Sequence, residues 1–185
     1  MIPVKPKVLI LDRDGTLIEH VPYLSDPAEV RLLPGAVESL QVAIAGGAKL
    51  FLHTNQSGIG RGMFKLADAD ACNARMIELL GLGPQLFTRV CIAPESPGEP
   101  SRYRKPSPEF AFEILREHGF NADELCYLGD RGSDLATAHA AGTRGVGVAT
   151  GLDDLALELS TLGLQDQFPI FSDLPSAMHH LFPPS

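Results

Sequence analysis

Tryptophan is absent from this 185-residue sequence, and cysteine is scarce, with only three residues. Cys72, Cys91 and Cys126 are odd in number, far apart in the chain and never paired as CxxC, which argues against a disulfide framework. Each lies among apolar neighbours, so we interpret them as small buried hydrophobes in a protein of a reducing compartment.

An excess of positive charge is also missing, because the formal net charge is −8. This charge argues against the binding of nucleic acid by a broadly positive surface, and no polybasic segment indicates a membrane surface. A phosphorylated small molecule is still compatible with the composition, since a few local cations and a metal ion can neutralise one phosphate.

Long apolar runs are absent as well, so the sequence predicts no membrane-spanning segment. Its first residues have neither the charged start nor the apolar stretch of a signal peptide. We therefore expect a cytoplasmic protein. A chain of 185 residues is long enough for one domain, residues 1–185, with a proper core.

The sequence does contain a regular alternation of short apolar runs and amphipathic segments. The apolar runs predict strands at residues 8–11, 49–53, 89–93, 124–128, 145–149 and 168–171. Helical spacing predicts helices at residues 35–45, 66–80, 108–118, 133–141, 153–161 and 174–181. We expect Phe112 and Leu115 on the inner face of the third helix and Ser133 as the N-cap of the fourth. Such alternation is typical of right-handed βαβ units, so we predict an α/β fold with a central parallel sheet.

Two carboxylates follow the first predicted strand directly, in Asp12-Arg13-Asp14-Gly15-Thr16. Residues two apart in an extended chain face the same side, so Asp12 and Asp14 can both face one site. Two close acids repel each other unless a cation lies between them, and Mg²⁺ prefers oxygen ligands. The alternative is a polar turn without function.

Other polar residues follow strands at the same predicted edge of the sheet. Thr54-Asn55-Gln56 comes after the second strand, and Asp130 comes after the fourth. Parallel α/β sheets bind ligands beyond the carboxyl ends of their strands, and three accidental polar turns need not have coincided there. This coincidence favours a functional site.

These residue types suit the hydrolysis of a phosphomonoester in two steps through an aspartyl phosphate. Asp12 lies nearest the strand and fits the nucleophile, while Asp14 fits the general acid and base. Asp130 can complete a magnesium site with Asp12 and the main-chain carbonyl of Asp14. Thr54 and Lys105 can donate hydrogen bonds to the phosphoryl oxygens.

The order of these residues resembles the four motifs of the haloacid dehalogenase-like hydrolase superfamily, over nearly the whole chain. The motifs are Leu11-Asp12-Arg13-Asp14-Gly15-Thr16, Thr54 at a strand end, Lys105, and Gly129-Asp130-x-x-x-Asp134. The stretches Thr54-Asn55-Gln56-Ser57-Gly58-Ile59, Arg61-Gly62 and Arg104-Lys105-Pro106 resemble the branch of heptose bisphosphate and histidinol-phosphate phosphatases. The resemblance implies a Rossmann-like three-layer sandwich, a magnesium ion, and Asp12 as nucleophile with Asp14 as acid and base. It also implies Thr54 and Lys105 on the phosphoryl group and Arg104 on the substrate.

An acid at the position of Asp14 favours a phosphatase over a dehalogenase, which has no alcohol to protonate. The spaces between the motifs are too short for a large cap, so we expect an open site. The expected substrate is a small phosphorylated metabolite of carbohydrate metabolism, such as a sugar phosphate or bisphosphate. The same stretches also resemble the phosphatase half of polynucleotide kinase/phosphatases. The alternatives are therefore a nucleic-acid 3′-phosphatase and a non-catalytic phosphate-binding protein.

The chain departs from this branch at the place where relatives carry a structural zinc loop. The matching positions are Cys91, Ala93, Ser101 and Tyr103, which leave one possible ligand of four. We therefore expect Mg²⁺ but no structural zinc, with Cys91 in the core. The loop must then be held in another way.

Candidate substrate-binding residues surround the catalytic ones; they are Asn55, Gln56, Ser57, Arg61, Arg104 and Arg131. Arg61 can instead belong only to a glycine-rich turn. Asp134 lies one helical turn beyond Asp130 and can brace Lys105 or a metal-bound water.

Three residues near the site are open to other roles. His53 alternates away from the site along its strand, so we predict a structural histidine. Arg13 points away from the two acids and is predicted to be a scaffold or ion-pair residue. Tyr23 lies in the loop beside the site, where it can contact substrate.

Overall fold

The computed structural model describes residues 5–184, and its sheet confirms the predicted α/β architecture. Six strands are present in chain order: β1 (Val8–Leu11), β2 (Lys49–Asn55), β3 (Arg89–Ala93), β4 (Leu125–Gly129), β5 (Arg144–Val148) and β6 (Ile170–Phe171). They are all parallel and lie in the order β3-β2-β1-β4-β5-β6. The ends of the predicted domain, residues 1–4 and 185, lie outside the described residues.

Helices follow the strands along the chain. They are α1 (Ala36–Ala45), α2 (Ser57–Gly60), α3 (Leu66–Leu80), α4 (Glu109–His118), α5 (Gly132–Ala141), α6 (Leu155–Thr161) and α7 (Leu174–Leu181). Within residues 5–184, no helix combines the length and the apolar character that crossing a membrane requires.

The sheet is buried on both faces, because successive residues of β1 point to opposite sides. Leu9 and Leu11 pack into a core formed with α1, α3 and α7, whereas Val8 and Ile10 pack into a second core with α4 and α5. This gives the three layers expected of a Rossmann-like sandwich. The three cysteines are buried and unpaired as predicted, and burial raises the pKa of Cys126 to about 12.

In helix α4, the inner face differs from the one that the helical pattern predicted. Phe110 and Ile114, one turn apart, are buried against the sheet with Ala111 between them. This face turns Phe112 outward, where 39% of it is exposed, so its predicted inward position is wrong. Leu115 is partly buried against the same core, as expected.

Two elements beside the site also differ from prediction. Strand β2 runs two residues further than expected, to Asn55, and the short helix α2 that follows it was not predicted. Helix α5 begins at Gly132 with Arg131 as its N-cap, so Ser133 is not the cap. The carboxylate of Asp134 accepts the Arg131 main-chain N–H at 3.0 Å, which is what ties down the first turn.

Strand register brings the functional segments together. In the pairing of β1 with its two neighbours, Leu11 lies opposite Leu52 of β2 and Leu128 of β4. Asp12, Thr54 and Asp130 therefore leave the sheet side by side at its carboxyl edge. This is the edge at which such folds bind ligands.

Candidate active site

A cavity of about 430 Å³ opens at this edge. All four predicted catalytic residues line it, namely Asp12, Asp14, Thr54 and Lys105. The predicted substrate-binding residues Asn55, Gln56, Ser57, Arg104 and Arg131 also line it, whereas Arg61 does not. One concave site therefore collects side chains from four separate parts of the chain.

The floor of the cavity holds a cluster of buried carboxylates, formed by Asp12, Asp130 and Asp134. One carboxylate oxygen from each lies within 4.8 Å of the others. Burial, reinforced by the charges of its two neighbours, raises the pKa of Asp130 far above the usual range of a carboxyl group. We refer to these three residues, together with Lys105, as the carboxylate cluster.

Lys105 supplies the buried positive charge of the cluster. Its Nζ donates to Asp12 Oδ1 at 2.7 Å, to Asp134 Oδ1 at 2.5 Å and to the His53 carbonyl at 2.9 Å. Burial alone would lower the pKa of Lys105, but the charges of Asp12 and Asp134 outweigh it and raise the pKa. Asp134 thus braces Lys105, as the sequence suggested, and all three ammonium hydrogens have acceptors.

The residues of the cluster fit a divalent cation. Three carboxylates face a single ammonium, so the cluster carries excess negative charge at low solvent exposure. The Oδ2 atom of Asp130 is buried and has no hydrogen-bond partner among the residues that the structure describes. A buried, unpartnered carboxylate oxygen is costly unless a cation binds it, and Mg²⁺ takes such hard oxygen ligands.

The third carboxylate differs from the predicted metal set of Asp12, Asp14 and Asp130. The side chain that completes the cluster is Asp134, because it is placed by the first turn of α5, one turn beyond Asp130. The carboxylate of Asp14 is directed to other partners. Metal binding through the Asp14 main-chain carbonyl stays a prediction.

Gly15 allows the first motif to pack against the cluster. Its φ of 78° is in the left-handed region, and a Cβ atom there would collide with the carboxylate of Asp130. The Gly15 carbonyl also accepts a hydrogen bond from Thr150 Oγ1 at 2.6 Å, which ties the motif to the end of β5. The glycine therefore serves both the turn and the close approach of β1 and β4.

Asp14 is held at the side of the cavity by a buried scaffold. Arg13, fully buried, donates from Nε to Asp14 Oδ2 at 3.0 Å and from Nη2 to Oδ1 at 3.1 Å. Its Nη1 donates to Asn73 Oδ1 of α3 at 3.0 Å. These contacts confirm the predicted scaffold or ion-pair role of Arg13. The prediction that it points away from both acids is wrong, because its guanidinium pairs with Asp14 and fixes the direction of that carboxylate.

Gln56 links the candidate general acid to the candidate phosphate-binding hydroxyl. Its Nε2 donates to Asp14 Oδ2 at 2.9 Å and to Thr54 Oγ1 at 2.8 Å. Since Thr54 accepts this bond, its own hydroxyl hydrogen is the one that it can donate to a ligand. Gln56 therefore orders two side chains of the site as well as lining the cavity.

The neighbours of Thr54 in β2 have structural contacts. The Asn55 side chain holds the main chain of Lys105, accepting its N–H at 3.0 Å and donating to its carbonyl at 3.2 Å. His53 lies on the opposite face, with Nδ1 at 3.0 Å from the Tyr127 hydroxyl and Nε2 at 2.7 Å from the Tyr103 carbonyl. Burial, helped by the charge of Lys105, lowers the pKa of His53 to about 3, which confirms a neutral structural histidine.

Two arginines near the cavity, Arg61 and Arg131, are bound by neighbouring side chains. Arg61 donates to the Tyr23 hydroxyl at 2.8 Å, and Tyr23 has an unusual positive φ of 54°. Arg131 forms ion pairs with Asp153 and, at 2.9 Å, with Glu158 of α6. Direct contact of Arg61 and Arg131 with substrate stays a prediction.

The loop segment 20–24 forms one side of the cavity, and Tyr23 lies there beside the site as the sequence predicted. Sequence reasoning missed the other residues of this segment, including His20, and it missed Phe64 and Ser133, which contribute from elsewhere. None of these positions follows a strand, so the argument from strand ends had no means to find them. A histidine soon after the first motif was the one available signal.

Comparisons with known proteins agree with this geometry. Residues 102–175 match the family model described as "HAD-hyrolase-like". A D-glycero-beta-D-manno-heptose-1,7-bisphosphate 7-phosphatase of Pseudomonas putida is 31% identical over 95% of this chain and 99% of its own length. The corresponding enzyme of Chlorobaculum tepidum is 35% identical, with 82% of each chain covered.

A solved structure extends the likeness to three dimensions. The D,D-heptose 1,7-bisphosphate phosphatase of B. bronchiseptica, complexed with magnesium and phosphate, superposes with a TM-score of 0.84. It is 28% identical, and the match covers 95% of this chain and 97% of that one. The chain therefore belongs to the haloacid dehalogenase-like hydrolase family. Within that family it is a phosphatase, of the branch that includes the heptose bisphosphate enzymes.

Proposed function

We propose that this protein is a magnesium-dependent phosphatase that removes one phosphoryl group from a sugar bisphosphate similar to heptose 1,7-bisphosphate. The observation that carries the proposal is the carboxylate cluster at the carboxyl edge of the sheet, with an unpartnered buried oxygen on Asp130. Curated relatives that span nearly the whole chain act on heptose 1,7-bisphosphate according to their names, which supports this substrate class.

In the first half-reaction, a carboxylate oxygen of Asp12 attacks the phosphorus atom while the bond from phosphorus to the ester oxygen breaks. Asp14, held in place by Arg13 and Gln56, donates its proton to the departing alcohol. The product is an aspartyl phosphate on Asp12, and Asp14 is left as a carboxylate.

In the second half-reaction, water attacks the phosphorus of the aspartyl phosphate. Asp14 now accepts a proton from that water, and the bond between phosphorus and Asp12 breaks to release inorganic phosphate. Thr54 and Lys105 donate hydrogen bonds to the phosphoryl oxygens in both halves. A magnesium ion bound by Asp12 and Asp130 would add positive charge where negative charge accumulates on the phosphoryl group.

The test is a comparison of kcat/KM among phosphorylated substrates with magnesium present. Heptose 1,7-bisphosphate, histidinol phosphate and a 3′-phosphorylated oligonucleotide represent the substrate classes in question. We expect the bisphosphate to have the highest kcat/KM. A preference for the oligonucleotide, with activity that falls steeply with salt, would instead identify a nucleic-acid phosphatase.

The Asp14→Asn variant separates catalysis from simple phosphate binding. It should lose magnesium-dependent turnover by a factor on the order of 10³ while keeping its fold, because it removes the proton donor and acceptor. Asp70→Asn is the matched control, since Asp70 is an exposed aspartate of α3. Equal turnover in the two variants would remove Asp14 from the mechanism.

We further propose that the protein carries no structural zinc. Cys91 is a buried residue of β3 opposite His53 of β2, and it is not a member of the group of potential metal ligands found in residues 5–184. Metal analysis of the purified protein should find far less than one zinc per chain. A stoichiometric amount would overturn this part of the proposal.

A further inference from the structure

Helix α4 carries a buried carboxylate, Glu113, that the proposed reaction does not use. Its Oε1 accepts from Arg102 Nη2 at 2.5 Å and from the Tyr103 hydroxyl at 2.9 Å. Its Oε2 accepts from Arg89 Nη2 of β3 at 2.6 Å. Only 8% of the Glu113 side chain is exposed. We call these four residues the Glu113 clasp.

The clasp holds the loop that leads into the site. Tyr103 packs edge-on against Phe110 of α4, with ring centroids 6.5 Å apart. Its carbonyl is 2.7 Å from His53 Nε2, so the same residue is held by both α4 and the sheet. The guanidinium of Arg102 lies over the Tyr103 ring, 5.2 Å from its centroid. Although burial opposes ionisation, hydrogen bonds from Tyr103 and Arg89 lower the pKa of Glu113.

Arg104 follows the clasp directly and lines the cavity. Its Nη1 donates to the Glu95 carbonyl at 2.8 Å, and its main-chain N–H donates to Ser101 Oγ at 2.9 Å. Ser101 belongs to the same loop as Arg104. Glu95 lies at the start of this loop, next to Pro94, whose carbonyl accepts the Gly60 N–H at 2.9 Å. The main chain immediately before Arg104 is held through Arg102 and Tyr103.

Lys105 is anchored independently of the clasp. Asn55 of β2 binds both its main-chain N–H and its carbonyl, and its ammonium is held by the carboxylate cluster. Loss of the clasp should therefore displace Arg104 far more than Lys105. Binding of substrate and chemistry at phosphorus would then respond differently.

From these contacts we infer that Glu113 is a positioning residue, which holds segment 101–104 so that Arg104 is fixed at the mouth of the cavity. This inference rests on the proposed phosphatase function. The buried carboxylate of Glu113 bonds to Arg89 of β3 and to the adjacent Arg102 and Tyr103 of the loop, so protein groups join the loop to α4 and to the sheet. Hydrogen bonds to a charged group are strong enough for this task.

The kinetic test compares Glu113→Gln with Glu117→Gln. Glu117 is one turn further along α4 and also pairs with Arg89, at 3.1 Å, but no hydrogen bond or ion pair found in residues 5–184 joins it to the loop. With heptose 1,7-bisphosphate we expect Glu113→Gln to raise KM about tenfold and to change kcat less than about twofold. Glu117→Gln should leave both constants within about twofold of the wild type. A fall in kcat with unchanged KM, or equal effects of the two substitutions, would overturn the inference.

A second readout needs no phosphatase activity. Trypsin can cleave after Arg102 and Arg104, and we expect Glu113→Gln to be cut there about tenfold faster than Glu117→Gln under native conditions, as measured by mass spectrometry. Tyr103→Phe keeps the ring but removes one hydrogen bond, so it should show a smaller change in the same direction. Equal cleavage rates in all variants would contradict the clasp. If no variant hydrolyses the bisphosphate, the proposed function fails while trypsin still tests the clasp.

Discussion

The carboxylate cluster and the Glu113 clasp both contain buried carboxylates, but the balance of charge around these carboxylates is opposite. The cluster places three carboxylates around one ammonium, and one oxygen of Asp130 has no partner among the described residues. The clasp places one carboxylate among two guanidinium groups and a phenol, and both oxygens of Glu113 are bonded.

This difference indicates that the carboxylate cluster is suited to bind a ligand, whereas the groups of the Glu113 clasp already satisfy one another. Burying uncompensated negative charge destabilises the folded protein, so the cluster is costly until a cation binds. The clasp gains nothing from an added ligand, because its hydrogen bonds are already made. Substitutions in the cluster should therefore reduce activity, whereas substitutions in the clasp should reduce the local order of the loop.

The largest effect is expected from Asp12→Asn. This change removes the proposed nucleophile, so kcat/KM should fall by a factor on the order of 10⁴. It also removes a negative charge from the crowded cluster and keeps an oxygen that can accept from Lys105, so the free energy of unfolding without metal should not decrease. Urea unfolding checks the second expectation, with Asp70→Asn as a control. A large loss of stability would contradict the contrast between the two groups.

A smaller effect concerns the dependence of stability on magnesium. If the cluster holds the ion, saturating Mg²⁺ should stabilise the wild type by about 2–3 kcal/mol at a hundred times the dissociation constant. Asp130→Asn should lose most of this gain and should be more stable than the wild type in EDTA. Thermal unfolding with and without Mg²⁺ measures both quantities. An equal gain in the variant would show that the ion binds elsewhere.

The free energy of unfolding of the metal-free protein should also depend on pH, because of Asp130. Without metal, the pKa of Asp130 rises from its usual 3.8 to about 9, so the folded state holds more protons than the unfolded state between these values. The stability contributed by Asp130 is therefore lost as pH rises through this window. Asp130→Asn should remove this contribution to the slope of the unfolding free energy against pH.

His53 should act with the opposite sign and over a narrower range of pH than Asp130. Its pKa falls from the usual 6.5 to about 3, so below 6.5 the unfolded state binds a proton that the folded state excludes. Stability should decrease by about 1.4 kcal/mol for each pH unit below that value. The slope of unfolding free energy against pH, measured by urea titration between these two values, should be flatter in His53→Gln. Identical slopes would contradict a neutral buried histidine.

Much of the fold and of the cavity floor could be predicted because each rests on local pattern. The apolar runs that precede Asp12, Thr54 and Asp130 predicted three strands whose ends lie at one edge of the sheet. The observed strand register brings these three residues together there. The role of Asp134 in the cluster was harder to find, because it lies on a helix whose start Ser133 had been expected to set. The first turn of α5 begins one residue earlier, which directs Asp134 toward Lys105.

The Glu113 clasp could not be predicted from any local sequence pattern. Arg89, Arg102 and Glu113 are far apart in sequence, and each is an ordinary charged residue of a strand, a loop or a helix. The burial of Glu113 even conflicts with the helical pattern, which had favoured Phe112 on the inner face. The burial of Phe110, Ala111 and Ile114 against the sheet turns Phe112 outward and brings Glu113 to the loop, whose Tyr103 and Arg102 lie outside the helical pattern.

The fully occupied ammonium of Lys105 makes the arrival of substrate an exchange. A phosphoryl oxygen has to take the place of a carboxylate or of the His53 carbonyl as the acceptor of one hydrogen. Only a strongly basic oxygen competes with such acceptors. A phosphate monoester dianion meets this demand better than a sulfate ester with its single charge. If Lys105 binds the phosphoryl group as we propose, sulfated sugars of the same shape should therefore bind more weakly.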